Sequence, residues 1–149
     1  MTTVCVLGED DVALRADLLA YETARSALAP YDLSEPYDNC LALETVSLGA
    51  SVSLLNDLDW YLRRVAKGAF VRDGSISEEE WLSRDLATDV RNGDVDPGAT
   101  GDHLAIYGID DGALVEPMYA ARTVDGVPEY DLRDVEETVV VRVTEAEFD

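Results

Sequence analysis

The stretch Leu41–Phe70, LALETVSLGASVSLLNDLDWYLRRVAKGAF, contains the longest apolar run of the chain and its clearest helical period. Its first part, Leu41–Leu48, is apolar with few polar residues, which predicts a strand covered on both faces. Apolar side chains then recur at the spacing of a single helical face. We therefore predict one continuous helix over 51–67, stopped by Gly68, with the following side chains turned to the core: Leu54, Leu55, Leu58, Tyr61, Leu62 and Val65.

Trp60 lies outside this apolar stripe, because at about 100° per residue its side chain projects away from the core-facing ones. Arg63, Arg64 and Lys67 follow it within two helical turns. We predict that these four residues form one partly exposed basic face that contacts another molecule, since Trp and Arg dominate interface energetics. Two structural alternatives stay open: the cations pair with Glu78–Glu80, or another element covers Trp60.

The chain is strongly acidic but has the apolar content of an ordinary globular protein. Its 149 residues include 32 acidic and 11 basic ones, which gives a net charge of −21, and 47% are hydrophobic. The acids are scattered along the whole chain, and Lys67 is its single lysine. This pattern indicates adaptation to molar salt, where the Debye length falls to about 3 Å and self-repulsion is screened. A nucleic-acid mimic and an acidic cation binder are the alternatives.

The sequence also predicts where the protein resides. No apolar run approaches the roughly 18 residues of a membrane span, and the first apolar segment is too short for a signal peptide. We therefore predict a cytoplasmic protein with no membrane partner. Cys5 and Cys40 lack the spacing of a metal site, which favours buried free thiols in a reducing compartment.

The order of the predicted elements favours a single α+β domain over residues 1–149. We predict two layers, with about three helices packed on a mixed or mainly antiparallel sheet in the order β-α-β-α-α-β-β-β. A capping box at Ser77 and Glu80 predicts the start of the third helix, which runs to about Arg91. Asp110–Gly112 predicts a hairpin turn. The other predicted elements are a first helix over 11–28 and strands over 2–7, 103–109, 113–123 and 138–144.

The sequence offers several candidate chemistries, but none has a complete motif, so we predict no catalytic, cofactor-binding or metal-binding residues. The opening VCVLGEDD has the acidic pair of a response-regulator receiver. The chain, however, lacks the lysine that such domains carry after their fifth strand. Glu9–Asp11 is read as a solvated acidic turn rather than a divalent-cation site. His103 is the single histidine, and no nucleophile motif, dinucleotide fingerprint or phosphate loop accompanies it.

Four segments resemble an uncharacterised family of small haloarchaeal proteins, a domain of unknown function. These segments are ETVSLGASVSLLNDLDWYL, EEWLSRDLA, IYGIDDGALVEPMY and YDLRDVEETVVVRVTE. The resemblance spans most of the chain and implies a halophilic archaeal source. It implies no activity and no site residues.

These observations together predict a non-enzymatic interaction or regulatory module in the cytoplasm of a halophilic archaeon. Its partner is predicted to be an acidic protein or RNA rather than DNA, bound through Trp60, Arg63, Arg64 and Lys67, and self-association stays open. The first alternative is a small carboxylate-based enzyme or ligand-binding protein that uses a metal or a nucleotide. The second alternative is an RNA-binding accessory protein.

Overall fold

A seven-stranded sheet organises the protein, whose computed structural model describes residues 1–148. The strands are β1 Thr2–Gly8, β2 Cys40–Thr45, β3 Ala66–Asp73, β4 Trp81–Ser83, β5 His103–Asp110, β6 Ala113–Ala121 and β7 Glu137–Arg142. The described residues also form helices α1 Leu14–Leu19, α2 Glu22–Leu28, α3 Leu48–Asp57, α4 Asp59–Val65, α5 Arg84–Arg91 and α6 Glu145–Phe148, with a 3-10 turn at Pro97–Ala99.

The sheet has the strand order β2-β1-β3-β4-β7-β5-β6. Strands β4 and β7 are parallel, whereas every other neighbouring pair is antiparallel. The predicted α+β class and the mixed sheet are therefore confirmed. The predicted total of about three helices and the predicted order of elements are wrong. Two of the predicted helices are each divided, one begins later than expected, and β3, β4 and α6 have no counterpart among the predicted elements.

One face of the sheet carries the larger core, which the helices cover. In register, Val4 of β1 lies between Leu43 of β2 and Val71 of β3, and all three side chains are buried. Helices α1 to α5 and the break at Leu58 contribute most of the other buried side chains of this core, including Leu14, Leu18, Leu28, Val52, Leu55, Leu58, Leu62 and Leu86. Burial of these apolar side chains against the sheet is the main favourable contribution to folding.

The sheet is strongly curled, and its second face encloses a smaller core. A flat sheet would separate β3 from β5 by about 14 Å, since neighbouring strands lie about 4.8 Å apart, yet the rings of Phe70 and Tyr107 have centroids only 5.2 Å apart. The two ends of the sheet meet where Asp38 N donates to Gly112 O at 2.9 Å. The enclosed buried side chains are Cys5, Leu7, Cys40, Phe70, Trp81, Ala105, Leu114, Val139, Val141 and Val143. Both cysteines are free and buried, as predicted.

The last strand of the sequence, β7, lies inside the sheet rather than at an edge. Its neighbours are β4 on one side and β5 on the other. Strand β7 therefore joins a sub-sheet built from the first half of the chain, β2-β1-β3-β4, to the β5–β6 hairpin. The hairpin itself is confirmed, with Asp111 and Gly112 at φ values of 53° and 83° in its turn, as expected for residues that tolerate left-handed backbone.

The predicted continuous helix over 51–67 is wrong in two respects. The chain is helical in α3 and α4, with a break at Leu58, and α4 ends at Val65. Lys67 and Gly68 belong instead to β3, where Gly68 pairs with Leu7 of β1. Gly68 is thus not a helix stop, because the long-range ladder with β1 takes the backbone hydrogen bonds that another helical turn would have used.

The predicted first helix over 11–28 is also divided. Helix α1 ends at Leu19 and α2 begins at Glu22. Tyr21 has an extended backbone between them, with φ −83° and ψ 124°. The break turns the Tyr21 ring toward α4, where it packs against Trp60 and Tyr61.

The predicted capping box at Ser77 does not begin a helix. Ser77 Oγ accepts hydrogen bonds from the backbone N–H groups of Glu79 and Glu80, at 3.3 and 3.0 Å, in a turn. The next residues form β4, with Trp81 buried in the smaller core and Leu82 in the larger one. Helix α5 starts only at Arg84. In a strand, adjacent side chains point to opposite faces, so both Trp81 and Leu82 can be buried. In the sequence, the same two residues resembled the start of the apolar face of a helix.

Ser83, rather than Ser77, is the N-cap of this helix, so we expect Ser83→Ala to be the more damaging substitution. Ser83 Oγ accepts from Leu86 N at 3.2 Å and donates to Glu147 Oε1 at 2.5 Å. Its loss should lower the free energy of unfolding by about 2 kcal/mol. Ser77→Ala removes turn bonds near solvent and should cost under about 1 kcal/mol. Urea unfolding of both variants checks the order, and an equal or larger cost for Ser77→Ala would contradict it.

Candidate interaction site

Helix α4 fixes the exposure of the predicted contact residues. Its side chains Leu62 and Val65 are buried beneath the helix, with relative exposures of 5% each. The helical period therefore turns Trp60 outward, and Trp60 is 53% exposed. The predicted exposure of Trp60 is confirmed, and the alternative in which its own chain covers it is wrong.

Trp60 lies in a small aromatic cluster on the surface. Its ring centroid is 5.7 Å from that of Tyr21 and 5.0 Å from that of Tyr61, with both pairs edge-to-face. The guanidinium carbon of Arg64 lies 3.4 Å from the Trp60 ring centroid, and Arg64 Nη1 donates to Trp60 O at 2.5 Å. We call these four residues, Tyr21, Trp60, Tyr61 and Arg64, the aromatic patch. The stacked cation and the two tyrosines hold the indole in one orientation.

The structure places Arg63 and Lys67 differently from Trp60 and Arg64. Arg63 binds Asp59 at 2.7 Å and Lys67 binds Asp10 at 2.8 Å, so neither cation pairs with the predicted Glu78–Glu80. Both line a cleft of about 360 Å³ that Trp60 and Arg64 do not line. The structure thus brings Trp60 and Arg64 together and gives Arg63 and Lys67 carboxylate partners of their own.

The cleft beside Arg63 is electrostatically balanced. Asp59 bridges Arg63 and Arg84, the latter at 2.9 Å. Burial raises the pKa of Asp59, but the hydrogen bonds and charges of Arg84 and Arg63 outweigh burial and leave that pKa below its ordinary value. The hydrogen bond from Lys67, together with its charge, likewise lowers the pKa of Asp10. Each carboxylate therefore stays ionised at neutral pH, with Asp59 shared between two arginines and Asp10 paired with Lys67.

Tyr21 and Tyr61 are the patch residues that the sequence did not place at the site. Tyr61 was predicted to face the core but is half-buried beside Trp60. Tyr21 comes from another part of the chain. The helical period assigned it to the core face of a continuous first helix. Its position follows from the break between α1 and α2. The break directs the half-buried ring of Tyr21 onto a neighbouring element rather than onto its own helix. Only the packing of α1 against α4 identifies that element.

The fold does not bring together the residues of the other candidate chemistries within residues 1–148. Within residues 1–148, no group of three or more His, Cys, Asp or Glu residues is arranged to hold a metal ion. Asp10, from the acidic turn, is bound to Lys67. The His103 ring packs on Phe148 with centroids 4.7 Å apart. Among the described helices, none has the length and apolarity needed to cross a membrane.

The curled mixed sheet with its helical layer and surface patch defines an α+β protein. Residues 2–109 match the sequence profile of a family of unknown function, DUF5804, and the chain belongs to this family. The matched region runs from β1 almost to the end of β5 and includes the whole aromatic patch. No curated protein and no solved structure matches the chain.

Proposed function

We propose that this protein is a non-enzymatic interaction or regulatory module that binds an acidic protein through the aromatic patch, with Arg63 and Lys67 at its margin. The observation that carries the proposal is Trp60, which is 53% exposed yet held by Arg64. Covering the exposed half of a tryptophan removes about 100 Å² from water, or about 2.5 kcal/mol. A rigid, amphipathic anchor of this kind is typical of an interaction hot spot.

The charges around the patch favour an acidic protein over RNA. Binding along a phosphate backbone requires several cations that are free to replace counterions. Arg63 and Lys67 are already neutralised by Asp59 and Asp10, which leaves Arg64 as the patch cation without a carboxylate partner in the described residues. One cation stacked on an indole suits a carboxylate-bearing protein surface. The cellular setting we propose is the salt-rich cytoplasm of a halophilic archaeon, where most such surfaces are acidic.

The proposal is tested with the double variant Trp60→Ala, Arg64→Glu, used as bait in a pull-down at 2 M KCl. We expect it to lose the partner that the wild-type protein recovers, because both the anchor and its cation are gone. Its melting temperature in high salt should be nearly unchanged, since Leu62 and Val65 keep α4 on the core. Arg91→Glu, an exposed arginine that contacts only Asn92, is the matched charge control and should keep the partner.

Equal recovery by the double variant and the wild type would mean that the aromatic patch is not the contact site. Nuclease treatment of the extract separates the two partner classes. Recovery that survives nuclease supports the acidic protein. Recovery that nuclease abolishes would replace the proposal by an RNA-binding accessory protein.

A second candidate function, ligand binding, is favoured by one further observation. Arg72, at the open end of the curled sheet, has no carboxylate partner among residues 1–148. The argument for a ligand there is independent of the aromatic patch.

A further inference from the structure

The enclosed face of the curled sheet opens on a cavity of about 600 Å³. None of the aromatic-patch residues lines it. The loop over residues 30–38 forms one wall and is fixed to β2 by two backbone hydrogen bonds between Ser34 and Ala42, at 2.9 and 2.7 Å. Three rings, which we call the aromatic lining, face the cavity: Tyr31, Tyr37 and Trp81. The cavity thus has a fixed wall and an aromatic lining, beside which polar and charged side chains also face it.

Arg72 is the single cationic side chain that lines this cavity. It is half-buried, and its guanidinium carbon lies 4.4 Å from the Trp81 ring centroid. Among residues 1–148, no carboxylate lies within 4.0 Å of its guanidinium, and no hydrogen-bond acceptor is assigned to it. By contrast, Arg142 of β7 and Arg122, directly after β6, both bind Glu80. Arg72 therefore presents an unused donor set to the cavity.

An unused guanidinium predicts a planar acid as its partner. Its parallel N–H groups match a carboxylate in two hydrogen bonds, and stacking on Trp81 fixes the plane in which they lie. Burial raises the pKa of Tyr37 and the charge of Arg72 opposes that rise. The Tyr37 phenol is consequently neutral at physiological pH and available as a further donor.

Two acids on the same cavity exclude a simple anion. Asp32 and Glu44 are exposed members of the lining. Thr3 of β1 lies in register between Glu44 of β2 and Arg72 of β3, so the backbones of Glu44 and Arg72 are about 10 Å apart. A bare anion bound to Arg72 would offer these two carboxylates no cationic group. A ligand that carries a positive group as well is attracted by both ends.

We infer that this cavity binds a small zwitterion of the amino-acid type. Its carboxylate binds Arg72, its ammonium group faces Asp32 and Glu44, and a large apolar side chain lies against the aromatic lining. Such a ligand is neutral overall, so binding is not opposed by the net charge of the protein. The ligand also supplies the acceptor that the Arg72 guanidinium lacks.

The inference is tested by the melting temperature of the full chain in 2 M KCl with each of the twenty amino acids. At ten times its Kd, a binding amino acid raises the melting temperature by about 3–6 °C. L-Phenylalanine is then compared with 2-phenylethylamine, which lacks the carboxylate, and 3-phenylpropanoate, which lacks the ammonium group. We expect at least one large apolar amino acid to bind, and L-phenylalanine to bind at least ten times more tightly than either fragment.

Arg72→Gln should weaken amino-acid binding at least tenfold, whereas Arg15→Gln, on an exposed arginine of α1, should leave it unchanged. If Arg72→Gln proves unstable, the double variant Asp32→Asn, Glu44→Gln provides an independent test. It removes two exposed carboxylates and should bind 3-phenylpropanoate as tightly as L-phenylalanine. The inference is overturned if no amino acid raises the melting temperature or if Arg72→Gln binds amino acids normally. It is also overturned if the wild type binds 3-phenylpropanoate as tightly as L-phenylalanine.

Discussion

Glu80→Gln is expected to lower the free energy of unfolding by about 2–3 kcal/mol. Glu80 binds Arg122 and Arg142 at once, the latter at 2.8 Å, and is 17% exposed. Arg142 also donates to Thr100 Oγ1, and Arg122 to Gly101 O. Removing one partner from a buried ion pair costs about 3–5 kcal/mol because the remaining charge stays buried. The partial exposure of Arg122, 31%, reduces that cost here.

Urea unfolding at constant KCl measures the effect, with Asp110→Asn as the matched control. Asp110 binds Arg133 in a pair that is nearly half exposed on both sides. Exposed pairs contribute about 0–1 kcal/mol, so this control should be close to wild type. A Glu80→Gln effect no larger than that of Asp110→Asn would show that the Glu80 network does not hold β4, β6 and β7 together.

The Glu80 contribution should also depend on pH. Burial raises the pKa of Glu80, but the hydrogen bonds from Arg142 and Arg122 outweigh burial and leave the pKa below its ordinary value. A carboxyl whose pKa is lowered by folding stabilises the protein above its unfolded pKa, about 4.3. The difference between wild type and Glu80→Gln should therefore be constant near neutral pH. It should shrink as pH falls below about 4.3 through the lowered pKa.

Raising KCl from 0.1 M to 2 M is expected to raise the melting temperature by at least about 5 °C, which corresponds to about 2 kcal/mol. The chain has 32 acidic residues, and the ion pairs among residues 1–148 involve only four carboxylates: Asp10, Asp59, Glu80 and Asp110. Salt therefore weakens few attractions and many repulsions. Equal or greater stability at 0.1 M would overturn the interpretation as salt adaptation.

The shape of the salt dependence identifies its cause. The Debye length falls from about 10 Å at 0.1 M to about 3 Å at 1 M, so screening is nearly complete at 1 M. Stabilisation by exclusion of salt from the surface continues to grow beyond that. A rise concentrated below about 1 M would support screening of the acidic surface. A rise that is linear up to 2 M would point to exclusion instead.

The sequence predicted those parts of the fold that depend on local patterns. The β5–β6 hairpin follows from Asp110–Gly112, and the exposure of Trp60 follows from the helical period around it. Two of the errors occur where a distant strand decides the local structure. Lys67 and Gly68 continue a helical pattern, but pairing with β1 makes them part of a strand. Trp81 and Leu82 fit a helical pattern in the sequence. They form a strand because the curled sheet has a core on each face, so that both side chains are buried.

The same distinction applies to the candidate sites. Trp60 and Arg64 are four residues apart on one helix, so their contact could be predicted from sequence. Tyr21 contacts them from the break between α1 and α2, and the helical period does not indicate that break. Arg72 and Trp81 meet because β3 and β4 pair, and Arg72 meets the loop over 30–38 because β1 brings β2 and β3 together. These contacts depend on strand pairing between distant parts of the chain, which the periodicity of the sequence does not indicate.

The position of β7 sets the order in which the chain can fold during synthesis. Glu137–Arg142 is made after all the other strands but lies between β4 and β5. At about 5–20 residues per second, the earlier strands leave the ribosome seconds before the strand that joins them. Phe70 and Trp81 then lack the neighbours from β7 and face water. Until β7 is made, this apolar surface is open to contact with other chains, because an incomplete domain exposes hydrophobic surface.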